Sequence, residues 1–212
     1  MKQTPYFFIL PSILILAFTS LYPICYSIYY SFFNWRWGNE KDFVGISNYI
    51  FLLTDKDFWI IIKNTFVFAF FACLIEIIVG VLLAIYIDRI KYGSTIIRTL
   101  LLIPLMISGI SVTMLFKVIL DNMFGIIPYF LSFIGIKSNF FGSYDAAMPT
   151  IIGLDVWWQT SFVFIIILAG FQSIPSEPIE AAKMDGATEW EVTKYIRLPM
   201  IRSLLFLVLI FR

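Results

Sequence analysis

The sequence predicts an all-α integral membrane protein, a polytopic helical bundle, on three observations. Of its 212 residues 60% are hydrophobic and 14% charged, against about 45–50% and about 25% in an average globular domain. Its mean hydropathy is +0.90. Its apolar residues fall in runs long enough to cross a bilayer, which takes about 20 residues of helix, so the chain has room for roughly four to six crossings. A soluble enzyme, a disordered tail or a disulfide scaffold would not carry 23 Phe, 11 Tyr and 6 Trp in such runs.

Each element follows from its own stretch. The first apolar run, 6–33, is too long for a leader-peptide core and lacks a small-residue cleavage site, so it reads as an uncleaved span. Pro11 and Pro23 are its kink sites. A polar loop, 34–64, carries the string Phe43-Val44-Gly45-Ile46-Ser47-Asn48-Tyr49. A second span covers 65–87, a short basic loop 88–98, and a third span 99–118. The mixed stretch up to 147 reads as an interfacial helix and loop. A fourth span covers 148–170, a polar loop 171–199, and a fifth apolar run 200–212. An inside N-terminus puts Lys2, Arg89, Lys91, Arg98, Lys183, Lys194, Arg197 and Arg202 in the cytoplasm. Arg36, Lys41, Lys56, Lys63, Lys117 and Lys137 then lie outside, and the density of charge at 88–98 favours this orientation.

Other counts exclude functions. A net charge of +1 gives no reason for a nucleic-acid partner. With no His, there is neither a His-ligated metal nor His-based catalysis. Cys25 and Cys73 sit inside apolar runs as packing residues. No Gly precedes a Lys, so a phosphate-cradling loop is missing and no cofactor is called for.

The polar loop 171–199 has the pattern of two short helices joined at a glycine. Ser176 is a candidate cap for the first, with Glu177 and Pro178 in its opening turn. Gly186 suits the left-handed residue that ends it. Thr188 and Glu191 form a capping-box pattern for the second, which Leu198-Pro199 would stop. Ile179, Met184, Trp190 and Ile196 are too few for a core. They suit a groove on a soluble partner, and the pattern suits equally a helix pair lying on lipid headgroups.

Glu180-Ala181-Ala182, three residues, Gly186, nine residues, Ile196, one residue, Leu198-Pro199 resembles the EAA signature of permease subunits of bacterial binding-protein-dependent ABC importers. The resemblance extends over nearly the whole chain. Leu10-Pro11, Leu21-Tyr22-Pro23, the Phe43–Tyr49 string, Asn64-Thr65 and Pro104 resemble the sugar-uptake branch, of maltose and glycerol-3-phosphate type. It implies a non-catalytic subunit of the cytoplasmic membrane whose loop docks in a cytoplasmic ATPase dimer. Glu180 and Gly186 would be the acidic and hinge positions of that coupling element, with Ala181, Ala182, Asp185, Ile196, Leu198 and Pro199 completing it. It also implies a second permease subunit, usually a different polypeptide, and an extracellular solute-binding protein. The family core has six helices, so a fifth run ending at 212 leads to the expectation of a chain cut short in that span.

Polar groups inside spans are costly and mark candidate pathways. Asp155, Trp158, Gln159 and Phe162 share one face of the fourth span, a carboxylate, an amide and two rings suited to sugar hydroxyls and C–H faces. The competing reading puts Trp157 and Trp158 at the interface, with Asp155 near headgroups. Glu76 lies among the small residues Ala69, Cys73, Gly80 and Ala84, a packing stripe in which it would meet a polar partner in the bundle. Asp121 and Asp145, in the outer loop, are candidates to meet a binding protein or simply to be solvated. Alternatives remain open at the level of sequence. A permease for a polyamine, amino acid or anion shares the signature, while a lipid-modifying membrane enzyme or a passive channel would leave the loop unexplained.

Overall fold

The computed structural model describes residues 4–35, 40–90, 92–136 and 139–212. Of the basic residues used to orient the chain, Lys2, Arg36, Lys91 and Lys137 lie outside the described residues. The chain divides into two compact units, Met1–Asn64 and Thr65–Arg212.

In the first unit, α1 (Thr4–Leu16) runs through a π-helical turn, Ala17–Leu21, into α2 (Tyr22–Tyr30). The stretch Ile9–Tyr30 is 22 residues long and apolar enough to cross a membrane. The π turn stands just before Pro23, with the Tyr22 N–H donating to the Ala17 carbonyl. Widening the helix there shifts the hydrogen-bond register where proline has no N–H to offer. The string at 43–49 then folds for legible reasons. Gly45 takes φ +58°, a region open to glycine without penalty. Asn48 Nδ2 donates to the carbonyls of Ser31 at 2.9 Å and Phe33 at 3.1 Å. Those bonds sit beside a two-residue antiparallel ladder, β1 (Phe33–Asn34) with β2 (Asp42–Phe43), in register Phe33 to Phe43. Helix α3 (Ser47–Thr54) follows.

Helix α4 (Lys56–Arg89) is 34 residues long and starts well before the expected 65. The Asp55 carboxylate accepts from the Asp57 N–H at 3.0 Å, and no Gly or Pro interrupts the sequence from there to Thr65.

The second unit holds the rest of α4, then α5 (Ser94–Leu102), α6 (Gly109–Ile119), α7 (Ile126–Phe133) and α8 (Tyr144–Gln172). It continues with α9 (Ser176–Met184), α10 (Glu189–Val192), α11 (Leu198–Met200) and α12 (Arg202–Phe211). Its core is the seam of α4, α8 and α12, where Ala84, Val163, Phe164, Ile167, Leu168, Ile201 and Val208 are buried. Gly80 permits that approach, because a Cβ there would stand 2.6 Å from Val163 Cγ1. The buried stripe on α4 is Ala72, Glu76, Gly80 and Ala84, so Ala72 takes the place expected of Ala69, which is exposed.

The third apolar run is not one straight helix over 99–118. Ser94–Met106 and Gly109–Ile119 meet at 93°. Pro104 opens a short 3-10 turn, Ser108 leaves helical conformation and its Oγ accepts from the Ser111 N–H, starting α6. Such a break is tolerated in lipid only if the freed carbonyls find donors. Helix α8 supplies them: Ser161 Oγ donates to the Leu101 carbonyl at 2.6 Å and Trp158 Nε1 to the Ile107 carbonyl at 3.2 Å. Helix α8 itself is 29 residues long, exceeding 148–170 at both ends, with the Ser143 side chain accepting from the Ala146 N–H at its start. Among the described residues, three helices are long and apolar enough to span a membrane, or four if the bent pair is one span.

Candidate functional site

Two regions bring the expected residues together, the loop after α8 and a cavity beside α8. The loop is built from local chemistry. Helix α9 opens after Pro175, with Ser176 inside its first turn and no side-chain cap, so the expected Ser176 cap is absent. It ends as expected: Gly186 takes φ +86°. The Ala187 N–H reaches the Ala182 carbonyl at 2.9 Å and the Gly186 N–H the Lys183 carbonyl at 3.1 Å, a Schellman pattern. A full capping box starts α10, with the Thr188 N–H donating to Glu191 Oε2 at 2.7 Å and the Glu191 N–H to Thr188 Oγ1 at 3.3 Å. The Thr188 N–H and the Thr188 hydroxyl both donate to that carboxylate and hold Glu191 below its ordinary range. Lys183 pairs with Glu189 across the glycine and holds that carboxyl low as well.

Leu198-Pro199 does not stop the second helix. The chain widens into a π-helical turn, Thr193–Arg197, in which the Leu198 N–H donates to the Thr193 carbonyl. It then passes through α11 and turns only at Ile201. As before Pro23, the π register precedes the residue that lacks a donor.

Burial separates the loop into a tip and a base. Glu180, Ala181, Asp185 and Gly186 are exposed, as are Met184 at 87%, Trp190 and Tyr195. Ala182, Ile196 and Leu198 are half-buried, Pro199 is exposed, and Val192, Thr193 and Arg197 are buried. The apolar face offered to the outside is therefore Met184, Trp190 and Tyr195, while Ile179 and Ile196 turn partly inward.

The second region is a cavity of about 480 Å³ lined by Phe68, Thr113, Lys117, Asp121, Phe141, Asp155 and Trp158, with Val112, Ile151 and Leu154. Of the four face residues on α8, Asp155 and Trp158 line it, whereas Gln159 and Phe162 are half-buried and do not. The Trp158 indole N–H is already committed to Ile107, and its ring lies against Gly109, where a Cβ would stand 2.8 Å away. Asp121 does more than face solvent: its Oδ1 accepts from the N–H groups of Met123 and Phe124 at 2.9 and 3.0 Å. Trp157, the other half of the Trp pair, stacks edge-on with Phe116.

Behind Asp155 lies a charge cluster that sequence reasoning missed in part. Glu76 is fully buried, and its carboxylate accepts from Arg212 Nε at 2.6 Å and Nη2 at 2.7 Å. The same Nη2 donates to Asp155 Oδ2 at 2.6 Å. Glu76 thus has the polar partner expected for it, from the residue that caps α12. Asp155 belongs to a buried network as well as to the cavity wall. The only signal in the sequence was an arginine in an apolar run. Among the described residues, no group of three His, Cys, Asp or Glu is placed to hold a metal ion.

Comparison with known proteins agrees with this architecture. The family described as "Binding-protein-dependent transport system inner membrane component" matches residues 76–212. A probable ABC transporter permease, y4oQ of Sinorhizobium fredii, is 32% identical over 99% of this chain and 69% of its own. The trehalose/maltose transport system permease MalF of Thermococcus litoralis is 33% identical over 82% of this chain and 59% of its own. The chain thus spans roughly two thirds of the length of these relatives. In solved structures, a chain of a bacterial ABC transporter involved in import of the acidic polysaccharide alginate superposes with a TM-score of 0.82. That chain is 25% identical, over 98% of this chain and 71% of its own. This multi-pass membrane chain belongs to the binding-protein-dependent transport system inner membrane component family.

Proposed function

We propose that the chain forms half of the membrane pathway of an ATP-driven importer of sugars or oligosaccharides, without catalysis of its own. The observation that carries this reading is the exposed helix–Gly186–helix tip on a buried base. A rigid knob chained to two membrane helices transmits rigid-body motion. Its partners in this reading are a cytoplasmic ATPase dimer on the knob, a second permease subunit, and a solute-binding protein on the far side. The N-terminus is then cytoplasmic, in line with the Lys/Arg balance.

The names of relatives support sugars. MalF of Thermococcus litoralis is a trehalose/maltose permease, and MsmF of Streptococcus mutans is a multiple-sugar permease. The cavity's rings, Thr113 and Asp155 supply stacking faces and hydrogen-bond partners for a polyhydroxylated ligand.

Gly186→Leu tests the loop. Its φ of +86° is strained for any side chain, so the variant is expected to abolish uptake and substrate-stimulated ATP hydrolysis in the complete transporter. Normal values of both would overturn the coupling role. Uptake of labelled maltose and of labelled spermidine by cells with and without the chain tests the substrate class. Loss of spermidine uptake alone would overturn the sugar reading.

A further inference from the structure

The loop is chained to α8 and to α12, yet its base is also fastened to a third helix. Arg197 Nη2 donates to Asp88 Oδ2, near the end of α4, and the two side chains are only 10% and 17% exposed. The guanidinium carbon lies 4.6 Å from the ring centroid of buried Phe171, at the end of α8. Val192, Thr193 and Ile201 of the same base are buried. Arg98 of α5 joins the same level, with both Nη atoms 3.0 Å from the Gln172 amide oxygen in its hydrogen-bonding orientation. Among the described residues, Arg197 makes the salt bridge between the loop and α4.

Helix α4 leads from this point to the cavity. Glu76 lies 12 residues before Asp88 on the same uninterrupted helix, about 18 Å at about 1.5 Å per residue. There Arg212 holds Glu76 and Asp155 at once, and Asp155 is on the cavity wall. Each end of this length of α4 therefore carries a carboxylate gripped by an arginine, Arg197 of the loop base at one end and Arg212, beyond the loop, at the other. Packed apolar surfaces resist compression through close packing and separation through the contacts that would be lost. An ion pair shielded from water also resists separation, because parting leaves uncompensated buried charge.

We propose that α4 is a connecting rod between the coupling loop and the cavity, with Arg197–Asp88 as its lower joint and Glu76–Arg212–Asp155 as its upper one. Arg197 and Asp88 are positioning residues: they touch neither nucleotide nor solute, and pass the loop's displacement to the helix that bears Glu76. The inference rests on the coupling role given to the loop under Proposed function.

The test uses the complete transporter, with both permeases, the ATPase and the binding protein, in nanodiscs. Cys25→Ser and Cys73→Ala clear the background, and Thr113→Cys on the cavity wall reports access to a membrane-impermeant maleimide. ATP with vanadate is expected to change the labelling rate at Cys in place of Thr113. Asp88→Asn or Arg197→Gln should shrink that change at least fivefold, while ATP hydrolysis stays within twofold of the parent. The exchanged pair, D88R with R197D, should restore at least half of it. A merely structural pair would lower assembly and hydrolysis together and leave the ATP-dependent change intact in the complexes that form. An unaltered change in the single variants overturns the joint, as does an exchanged pair no better than the singles in intact complexes. No ATP-dependent change in the parent would instead overturn the coupling role itself, and the rod with it.

Discussion

The loop after α8 and the membrane interior secure their polar groups in opposite ways. In the loop the ties are local and exposed: Thr188 to Glu191, Lys183 to Glu189, Ala187 to Ala182. In the interior they join residues far apart in sequence, as in Trp158 to Ile107, Ser161 to Leu101, Asp155 to Arg212 and Glu76 to Arg212. The difference is one of solvent. Water can replace any partner lost from the loop, so each tie there is worth little. Inside the bilayer no replacement exists, so each tie fixes how two helices stand against each other.

The largest effect should come from removing Arg212, which leaves two carboxylates, one fully buried, without a cation. Arg212→Met is expected to lower stability by roughly 3–5 kcal/mol, read as thermal unfolding of the purified complex at pH 7. Adding Glu76→Gln and Asp155→Asn should recover most of the loss, because a neutral set has no charge to compensate. In the loop, Lys183→Met should cost less than about 1 kcal/mol. Equal losses at the two sites would break the contrast.

Two glycines sharpen it at the next magnitude. Gly80 is needed for space, since a Cβ would press on Val163 and stand 3.2 Å from the Phe164 backbone nitrogen. Gly80→Val is expected to cost about 1–3 kcal/mol through overpacking of α4 against α8. Gly186 is needed for its backbone angle alone, with nothing within 4 Å of a built Cβ. Asparagine enters that region more readily than other side chains, so Gly186→Asn should keep coupling where Gly186→Leu does not. At position 80, Asn should fail like Val. The read-outs are thermal unfolding for Gly80 and ATP-driven uptake for Gly186.

Trp158→Phe belongs to the same range. It keeps a ring on the cavity but leaves the half-buried Ile107 carbonyl without its donor, a cost at the low end of the range of about 1–3 kcal/mol for an unsatisfied buried group. Thermal unfolding of the complex should show it. An unchanged midpoint would mean that the bend between α5 and α6 stands without help from α8.

What the sequence made legible follows the same division. The class of fold, the helix–glycine–helix and the capping box were readable because their causes lie within a few residues: apolar runs, Gly186, Thr188 with Glu191. Glu76 was readable as a residue in need of a partner. That the partner is Arg212, and that Asp88 meets Arg197, depends on pairings 136 and 109 residues apart, which periodicity does not report. The 93° bend was not read: Pro104 entered only as a family marker inside a single span, although a proline there is a signal for a break. Its size is set by the donors Trp158 and Ser161 on another helix. Proline was misread as a stop at Leu198-Pro199 because a π turn can carry a helix past it.

The smallest expected effect is a pH dependence confined to the loop tip. The Glu191 carboxyl is held below its ordinary value by the Thr188 N–H and hydroxyl, and the Glu189 carboxyl by Lys183. A carboxyl lowered in the folded state contributes stability that is complete above its unfolded value, about 4.3, and fades as pH falls through the lowered folded one. Protection of the α10 amides against hydrogen exchange should therefore be constant from pH 8 to 5 and fall below pH 4. Glu191→Gln should remove Glu191's share of that dependence, because glutamine still completes a capping box but does not titrate in this range. The interior network, under the same acid step, should keep the amides of α8 protected after those of α10 have opened. Simultaneous opening of both would mean that the tip is not an independent local structure, and that its caps draw their stability from the buried base at Val192 and Thr193.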